Sequence, residues 1–435
     1  MSAVDLNAGV IAPVADEVHL DTGITVEGRI PDELNGVLVR NGPNPYEGRF
    51  SGATMLDWWT GPGMVHGLSI GDGTVGWYRN RWTIPRPDRD DQVGVAPANV
   101  NVNVIEFGGR ILALGEGARP LELDGDLETI GPMTFDQALP NGMMAHPKID
   151  RRTGELRFFR ADWGPPYLVV GSLDAHLRLT SLREVALDRP VMMHDFAITE
   201  RFDVVLDTNV ILDPSLLDLG IPLPLRWDED HRTRIGLIPR DGADPRWCEI
   251  SPCFIQHVVN AYETADRVVL DAVRYPTFLR FDDDIGEHRP NPLGSLWRFE
   301  IDPLRGVVTE SQLDDRKIEL PRIDERFTGT RNRAAFVVEQ PTDTEMRGLR
   351  RYDLDTGESQ LFPIEQGDQN SEAVFAPRGP NEGQGWLLFC VYRAATDSTD
   401  VVIADAEDLS GPAQAVVHLP RRIPAGFHGA WIPTG

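Results

Sequence analysis

Lysine is almost missing from this 435-residue chain: only Lys148 and Lys317 occur, and arginine supplies nearly all of the positive charge. The formal net charge is −26. Such acidity repels nucleic acid and anionic headgroups at long range, which counts against a nucleic-acid partner. Cysteine is also scarce. Cys248, Cys253 and Cys390 are too few, and odd in number, for a disulfide framework, and they suit a reducing compartment. Cys248 and Cys253 are too far apart for a C-x-x-C pair, and no further cysteine completes a zinc site. The first residues, MSAVDLNAGVIAPVADEVHLD, lack a basic start followed by an apolar core, so no signal peptide is expected. No run of about 18 apolar residues is present to span a bilayer. The sequence reads as cytoplasmic, peripheral to a membrane at most. It contains no phosphate loop and no nucleophile–base arrangement, so nucleotide chemistry has no foothold in the motifs.

What is present is an ordinary globular composition, 41% hydrophobic and 25% charged, able to bury a large core. Short apolar runs recur: RILALGE (110–116), YLVVGSL (167–173), DVVLD (203–207), RVVLDAVRY (267–275), AAFVVEQ (334–340), GWLLFCVYR (385–393) and DVVIADA (400–406). They are rich in Val, Leu and Ile and bounded by Gly, Pro, Asp or Asn, the pattern of β-strands. The best helix candidate is DPSLLDLG (213–220), with Asp213 as cap and Pro214 in the first turn. HPKIDRRTGELRFF (146–159), WRFEIDPLRGVVTE (297–310) and RRYDLDTGESQLF (350–362) each place an Asp-containing turn ending in Gly between two strands, a hairpin pattern. Repeated hairpins without a linker or composition break predict an all-β fold, a β-propeller as one domain over 1–435. Two β-sandwich domains are the alternative.

Of ten histidines, four sit in apolar or small-residue settings: His146 in MMAHPKID, His194 in VMMHDFAIT, His257 in CFIQHVVNAYE and His428 in AGFHGAWIP. A buried neutral imidazole needs a partner, and a metal ion is one. The successive spacings of 48, 63 and 171 residues exclude zinc-finger and H-E-x-x-H sites, whose ligands are close in sequence. They suit ligands drawn from separate blades that converge on a propeller axis. Softness alone admits Fe, Cu, Zn or Ni. His19, His176, His231, His288 and His418 lie in polar or turn-like segments and are assigned no role.

These four contexts resemble the carotenoid cleavage oxygenase family. The resemblance extends over nearly the whole chain, through GRIPDELNGVLVRNGPNP (28–45), GMVHG (63–67), YRNRW (78–82), ILALGEGARPLELD (111–124), ELPRIDERFTG (319–329) and SEAVFAPR (371–378). It implies a seven-bladed propeller, a ferrous ion on its axis held by His146, His194, His257 and His428, and a hydrophobic tunnel under a dome of loops and short helix. It also implies that Glu116, Glu319 and Glu372 accept hydrogen bonds from three ligand histidines, which fixes the imidazole tautomer and raises ligand basicity. The implied reaction adds both atoms of O2 across an alkene and releases two carbonyl products. The partners are therefore O2 and a hydrophobic alkene, with no obligate protein partner. His66, in GMVHG, matches no ligand position and is expected to pack a blade seam.

Two departures from the family pattern bear on substrate. The stilbene-cleaving branch commonly carries a lysine immediately before the first of these glutamates, and here that position is Gly115. Its absence favours a carotenoid or apocarotenoid over a 4-hydroxystilbene, with Tyr78 left as another candidate phenol contact. Val102 stands where some members place a threonine beside the iron. The stretch 211–230 resembles a trimmed form of an apolar region that members dip into membranes. Leu212, Leu216, Leu217, Leu219, Ile221, Leu223 and Leu225 remain there. A shallow membrane contact near 211–225 and a segment packed on the propeller are equally compatible with the sequence.

Overall fold

The fold was analysed in a computed structural model, which describes residues 8–45, 58–83, 100–133, 135–136, 138–139, 141–219, 224–278 and 291–434. The Val-, Leu- and Ile-rich runs are strands: RILALGE contains Arg110–Leu114, YLVVGSL is Tyr167–Leu173 and GWLLFCVYR is Gly385–Arg393. Their near-continuous burial, rather than alternation, has a simple cause. A central strand of a blade is covered on both faces by neighbouring blades. Outer strands such as Leu179–Ala186 and Val307–Gln312 are largely exposed.

Seven antiparallel sheets follow one another along the chain. Residues 103–132, 148–186, 197–249, 254–312 and 318–362 form blades 2 to 6, each of four strands in sequence order. The other two blades close the ring with both chain ends. In blade 1, Gly36–Pro43, Gly63–Gly71 and Thr74–Trp82 receive Gly429–Pro433 as innermost strand, with Val37 opposite Ile432 and Arg40 opposite Gly429. In blade 7, which spans 369–419, Thr25–Gly28 is added outermost, with Thr25 opposite His418.

The core is accordingly not one cluster but a ring of seam clusters. One joins Leu38 and Leu68 of blade 1 to Leu388 and Val401 of blade 7. Others join blades 1 and 2 through Val39 and Val104, 2 and 3 through Phe107 and Phe158, and 3 and 4 through Phe159 and Val205. The circuit is completed by Leu237 with Phe299, Phe254 with Val337, and Phe336 with Phe389. The three cysteines are free and buried in these seams. His66 lies at the seam of blades 1 and 7, as expected, its Nδ1 2.8 Å from the Tyr78 hydroxyl. Tyr78 is fully buried there and packs the core, so it is no substrate contact.

The three Asp–x–x–x–Gly turns share one geometry. The N–H of Gly154, Gly306 and Gly357 donates to the carbonyl of Asp150, Asp302 and Asp353 at 2.8, 2.9 and 2.8 Å. Each aspartate side chain accepts a backbone N–H two residues on in Arg152, Leu304 and Asp355. The three glycines have φ of +73°, +67° and +75°, a region costly to residues with a Cβ. The repeat is not a blade period: it joins strands one and two in blade 3 but strands three and four in blades 5 and 6.

These tight turns all fall at one end of the propeller, because each blade's first strand runs toward that end. The second-to-third connections start and end at the other end, where the histidines lie, and the described parts of 208–233 lie in the loops there. Within 208–233, Val210–Leu212 pairs with Leu225–Trp227, and the predicted helix is the 3-10 helix Pro214–Leu219. Asp213 does cap it, accepting the Ser215 N–H at 3.1 Å. Six residues beginning with proline are too few to sustain an α-helix. Leu217 is 49% exposed, whereas Leu225 packs toward Phe254 and Phe278. Residues 220–223, including Ile221 and Leu223, and the Leu219 side chain lie outside the described residues. No helix among the described residues is long and apolar enough to cross a membrane.

Candidate metal centre

His146, His194 and His428 stand just before the innermost strands Lys148–Asp150, Ala197–Ile198 and Gly429–Pro433 of blades 3, 4 and 1. His257 lies within the innermost strand of blade 5, Phe254–Glu263, where the register shifts between Ile255 and Val258. A bulge releases a side chain from strict alternation, and this one turns His257 to the axis. All four rings are buried, and one candidate ligand atom from each lies within 4.8 Å of the others.

The Nε2 atoms of His146 and His194 are 3.1 Å apart, those of His194 and His257 3.1 Å, and those of His257 and His428 3.2 Å. These are not hydrogen bonds between imidazoles. Nδ1 of His194 is 2.7 Å from Glu116 Oε1, Nδ1 of His257 is 2.6 Å from Glu319 Oε2, and Nδ1 of His428 is 2.9 Å from Glu372 Oε2. A carboxylate only accepts, so each of these Nδ1 atoms carries the proton and each Nε2 presents a bare lone pair. Lone pairs converging in a buried space repel one another unless a cation lies between them. Two donors each ~2.1 Å from one ion sit ~3.0 Å apart at right angles and ~3.4 Å apart at the tetrahedral angle. The observed separations lie between the two, within one ion's reach.

The glutamates are themselves held. The Glu319 carboxylate accepts the Tyr275 hydroxyl at 2.6 Å and the Leu320 N–H, and the strand is irregular between Glu319 and Arg322. Glu372 accepts Arg322 Nη1 at 2.9 Å and the Gly429 N–H at 2.7 Å. Burial alone would raise both carboxyls. Against burial, the His257 contact, followed by the Tyr275 hydroxyl and the Leu320 N–H, lowers Glu319, while Arg322 and then His428 bring Glu372 down to about 2. Burial lowers His428 to about 4 against the opposing pull of Glu372. The carboxylates Glu116, Glu319, Glu372 and Asp195 outnumber the nearby cations Lys148 and Arg322, the latter shared with Glu325, and this negative excess favours a cation. The donor set, the tautomers and the charge all fit such an ion.

Sequence reasoning singled out the four histidines and three glutamates, and the fold brings all seven together. It passed over Tyr275, Arg322 and Asp195, which act on the glutamates or between strands and carry no local pattern. It also read His231 as a turn residue, whereas His231 is buried with Nε2 2.6 Å from Asp207 Oδ1. His288 lies outside the described residues. Val102 borders the cluster: it packs with Ala145, next to His146, and Phe427, next to His428, and its carbonyl accepts the His428 N–H at 3.1 Å. Phe427 in turn meets Trp58 and Trp59 at ring-centroid distances of 5.4 and 5.0 Å.

The family model described as retinal pigment epithelial membrane protein matches residues 11–433. A carotenoid cleavage oxygenase of Mycobacterium tuberculosis is 34% identical over 503 positions, covering 98% of this chain and 97% of that protein. Among solved structures, the cobalt-substituted apocarotenoid oxygenase of Synechocystis matches with a TM-score of 0.86 at 26% identity, over 97% of each chain. The lignostilbene dioxygenase of Pseudomonas brassicacearum matches with a TM-score of 0.88 at 25% identity, over 99% of each chain. A closed ring of blades, a four-histidine centre and full-length similarity lead to one conclusion: the chain belongs to the carotenoid cleavage oxygenase family.

Proposed function

We propose that this chain holds ferrous iron through His146, His194, His257 and His428 and cleaves a carbon–carbon double bond of a carotenoid or apocarotenoid with O2. The observation that carries the reading is the convergence of four buried imidazoles, with successive Nε2 atoms 3.1 to 3.2 Å apart and three Nδ1 atoms facing Glu116, Glu319 and Glu372. Four neutral imidazole donors suit a first-row divalent ion, and the family membership favours ferrous iron among these. Ferrous iron, when bound, supplies a centre at which O2 and an alkene meet. The balance is simple: the C=C bond and the O–O bond break, two C=O bonds form, and no external reductant is consumed.

The protein's part is to position and to exclude water. The three glutamates hold the Nδ1 protons and so keep every lone pair aimed inward. The aromatic group of Trp58, Trp59 and Phe427 beside His428 offers apolar surface for a polyene. The methyls of Val102 keep one flank of the centre dry. Gly115, just before Glu116, offers no cation for a phenol, and relatives named for carotenoid substrates support the polyene. A stilbenoid substrate is the second reading, supported by the match to the lignostilbene dioxygenase.

The test is to load the protein anaerobically with ferrous ion, admit O2 with carotenoids, apocarotenals and 4-hydroxystilbenes in parallel, and identify the carbonyl products by mass. Cleavage of polyenes and not stilbenes is the expected result. Cleavage of stilbenes alone selects the second reading, and no cleavage despite stoichiometric iron removes both.

A further inference from the structure

We propose that Lys148 and Asp195 are positioning residues of the metal centre, doing jointly for His146 what a glutamate does for each of the other three histidines. This rests on the metal-binding reading above. His146 Nδ1 is 4.0 Å from the nearest Asp195 oxygen, beyond hydrogen-bonding reach, so no carboxylate orients this ring directly. The chain around it is held instead. Asp195 directly follows His194 and is 1% exposed. Its Oδ1 forms an ion pair with Lys148 Nζ at 2.7 Å and accepts the Phe196 N–H at 2.8 Å. Its Oδ2 accepts the N–H of Val258, the residue after His257, at 2.9 Å.

One buried carboxylate therefore ties together the histidine-bearing segments of three different blades. Each attachment lies one or two residues from its histidine: Lys148 from His146, Asp195 from His194 and Val258 from His257. Those same three histidines make the two 3.1 Å Nε2 contacts. Apolar seam packing sets distances only to within side-chain fit, and a charged link between blades such as Arg157 with Asp203 does not adjoin the histidines. A charge-assisted bond and a backbone hydrogen bond on one carboxylate set them more tightly. The pair is also neutral overall, so it fixes geometry without altering the charge that attracts the ion. Lys148 is one of only two lysines in the chain, and its Nζ makes this contact with its side chain mostly covered.

The experiment compares wild type with Lys148→Met, Lys148→Arg and Asp195→Asn, first metal-free and then titrated with cobalt(II). Readouts are the thermal midpoint of the metal-free protein, the cobalt affinity and the visible d–d band of the bound ion. Lys148→Met is expected to bind cobalt about 10- to 100-fold more weakly, with an altered band, and to lower the metal-free midpoint because the buried Asp195 loses its cation. Lys148→Arg, which keeps the charge-assisted bond, is expected to recover most of the affinity. Wild-type affinity and band in Lys148→Met overturn the proposal, as does a weaker affinity with an unaltered band, which a loss of stability alone produces. Lys148→Met decides the matter if Asp195→Asn fails to fold. Failure of wild type to bind any cobalt or iron would instead strike the metal reading itself.

Discussion

His66 and His257 both lie among apolar neighbours, yet one is satisfied within the protein and the other aims at the axis. His66 meets the Tyr78 hydroxyl, and burial, followed by the Arg40 charge, lowers it to about 3, so it is a neutral packing residue. His257 has Nδ1 committed to Glu319 and Nε2 facing two other histidines. His257→Ala is expected to abolish iron retention and turnover while leaving the seams intact, which metal analysis of the purified protein checks. Iron at the wild-type level would remove His257 from the ligand set. Glu319→Gln is expected to weaken metal binding by about 10- to 100-fold. Tyr275→Phe deletes one donor to the buried Glu319 and should cost ~1–3 kcal/mol of stability, read as a lower urea midpoint, with a smaller effect on metal affinity.

At the scale of elements, the Asp–x–x–x–Gly turns and the bulges have opposite jobs. The turns sit at the end away from the histidines and bear on stability alone. An added Cβ at Gly154 or Gly357 meets nothing within 4 Å, so Gly154→Ala or Gly357→Ala tests backbone strain in isolation. Each should lose ~1 kcal/mol, seen in chemical denaturation, with iron content unchanged. These turns were legible in sequence because they are local: one aspartate and one glycine define them. The bulge at His257 and the irregularity at Glu319 were not, since a bulge depends on the partner strand and leaves no spacing signal of its own. The segment Pro214–Leu219 was located correctly and typed too generously, because capping and apolar content do not register that six residues close too few helical hydrogen bonds.

At the scale of the whole molecule, the ring and the metal centre share one closing element. Gly429–Pro433 is the innermost strand of blade 1 and follows His428 directly. Its Trp431 packs on the seam with blade 7, and Ala430 and Ile432 pack on the seam with blade 2. Deletion of 429–435 is therefore expected to abolish both cooperative thermal unfolding and iron binding, measured by circular dichroism and metal analysis. Deletion of 1–28 removes the exposed outermost strand Thr25–Gly28. It should lower the melting midpoint and keep the iron. An ion held by all four histidines would bind only the closed ring, so removing it with a chelator should also lower the midpoint. Readdition should restore it in proportion to RT ln(1 + [L]/Kd).

Local physics determined the strands, the hairpin turns, the scarcity of helix and the chemical identity of the candidate ligands, because aliphatic runs, aspartate–glycine turns and apolar histidines act within a few residues of themselves. Resemblance to known sequences then implied which glutamates accompany them. Only the tertiary structure decided that residues 48, 63 and 171 positions apart meet within one ion's reach. It alone placed Asp195, Lys148, Tyr275 and Arg322 behind them. The reason is geometric: the axis of a propeller is created by closing the ring, so what converges there depends on blade order and strand register, which no single segment of sequence encodes.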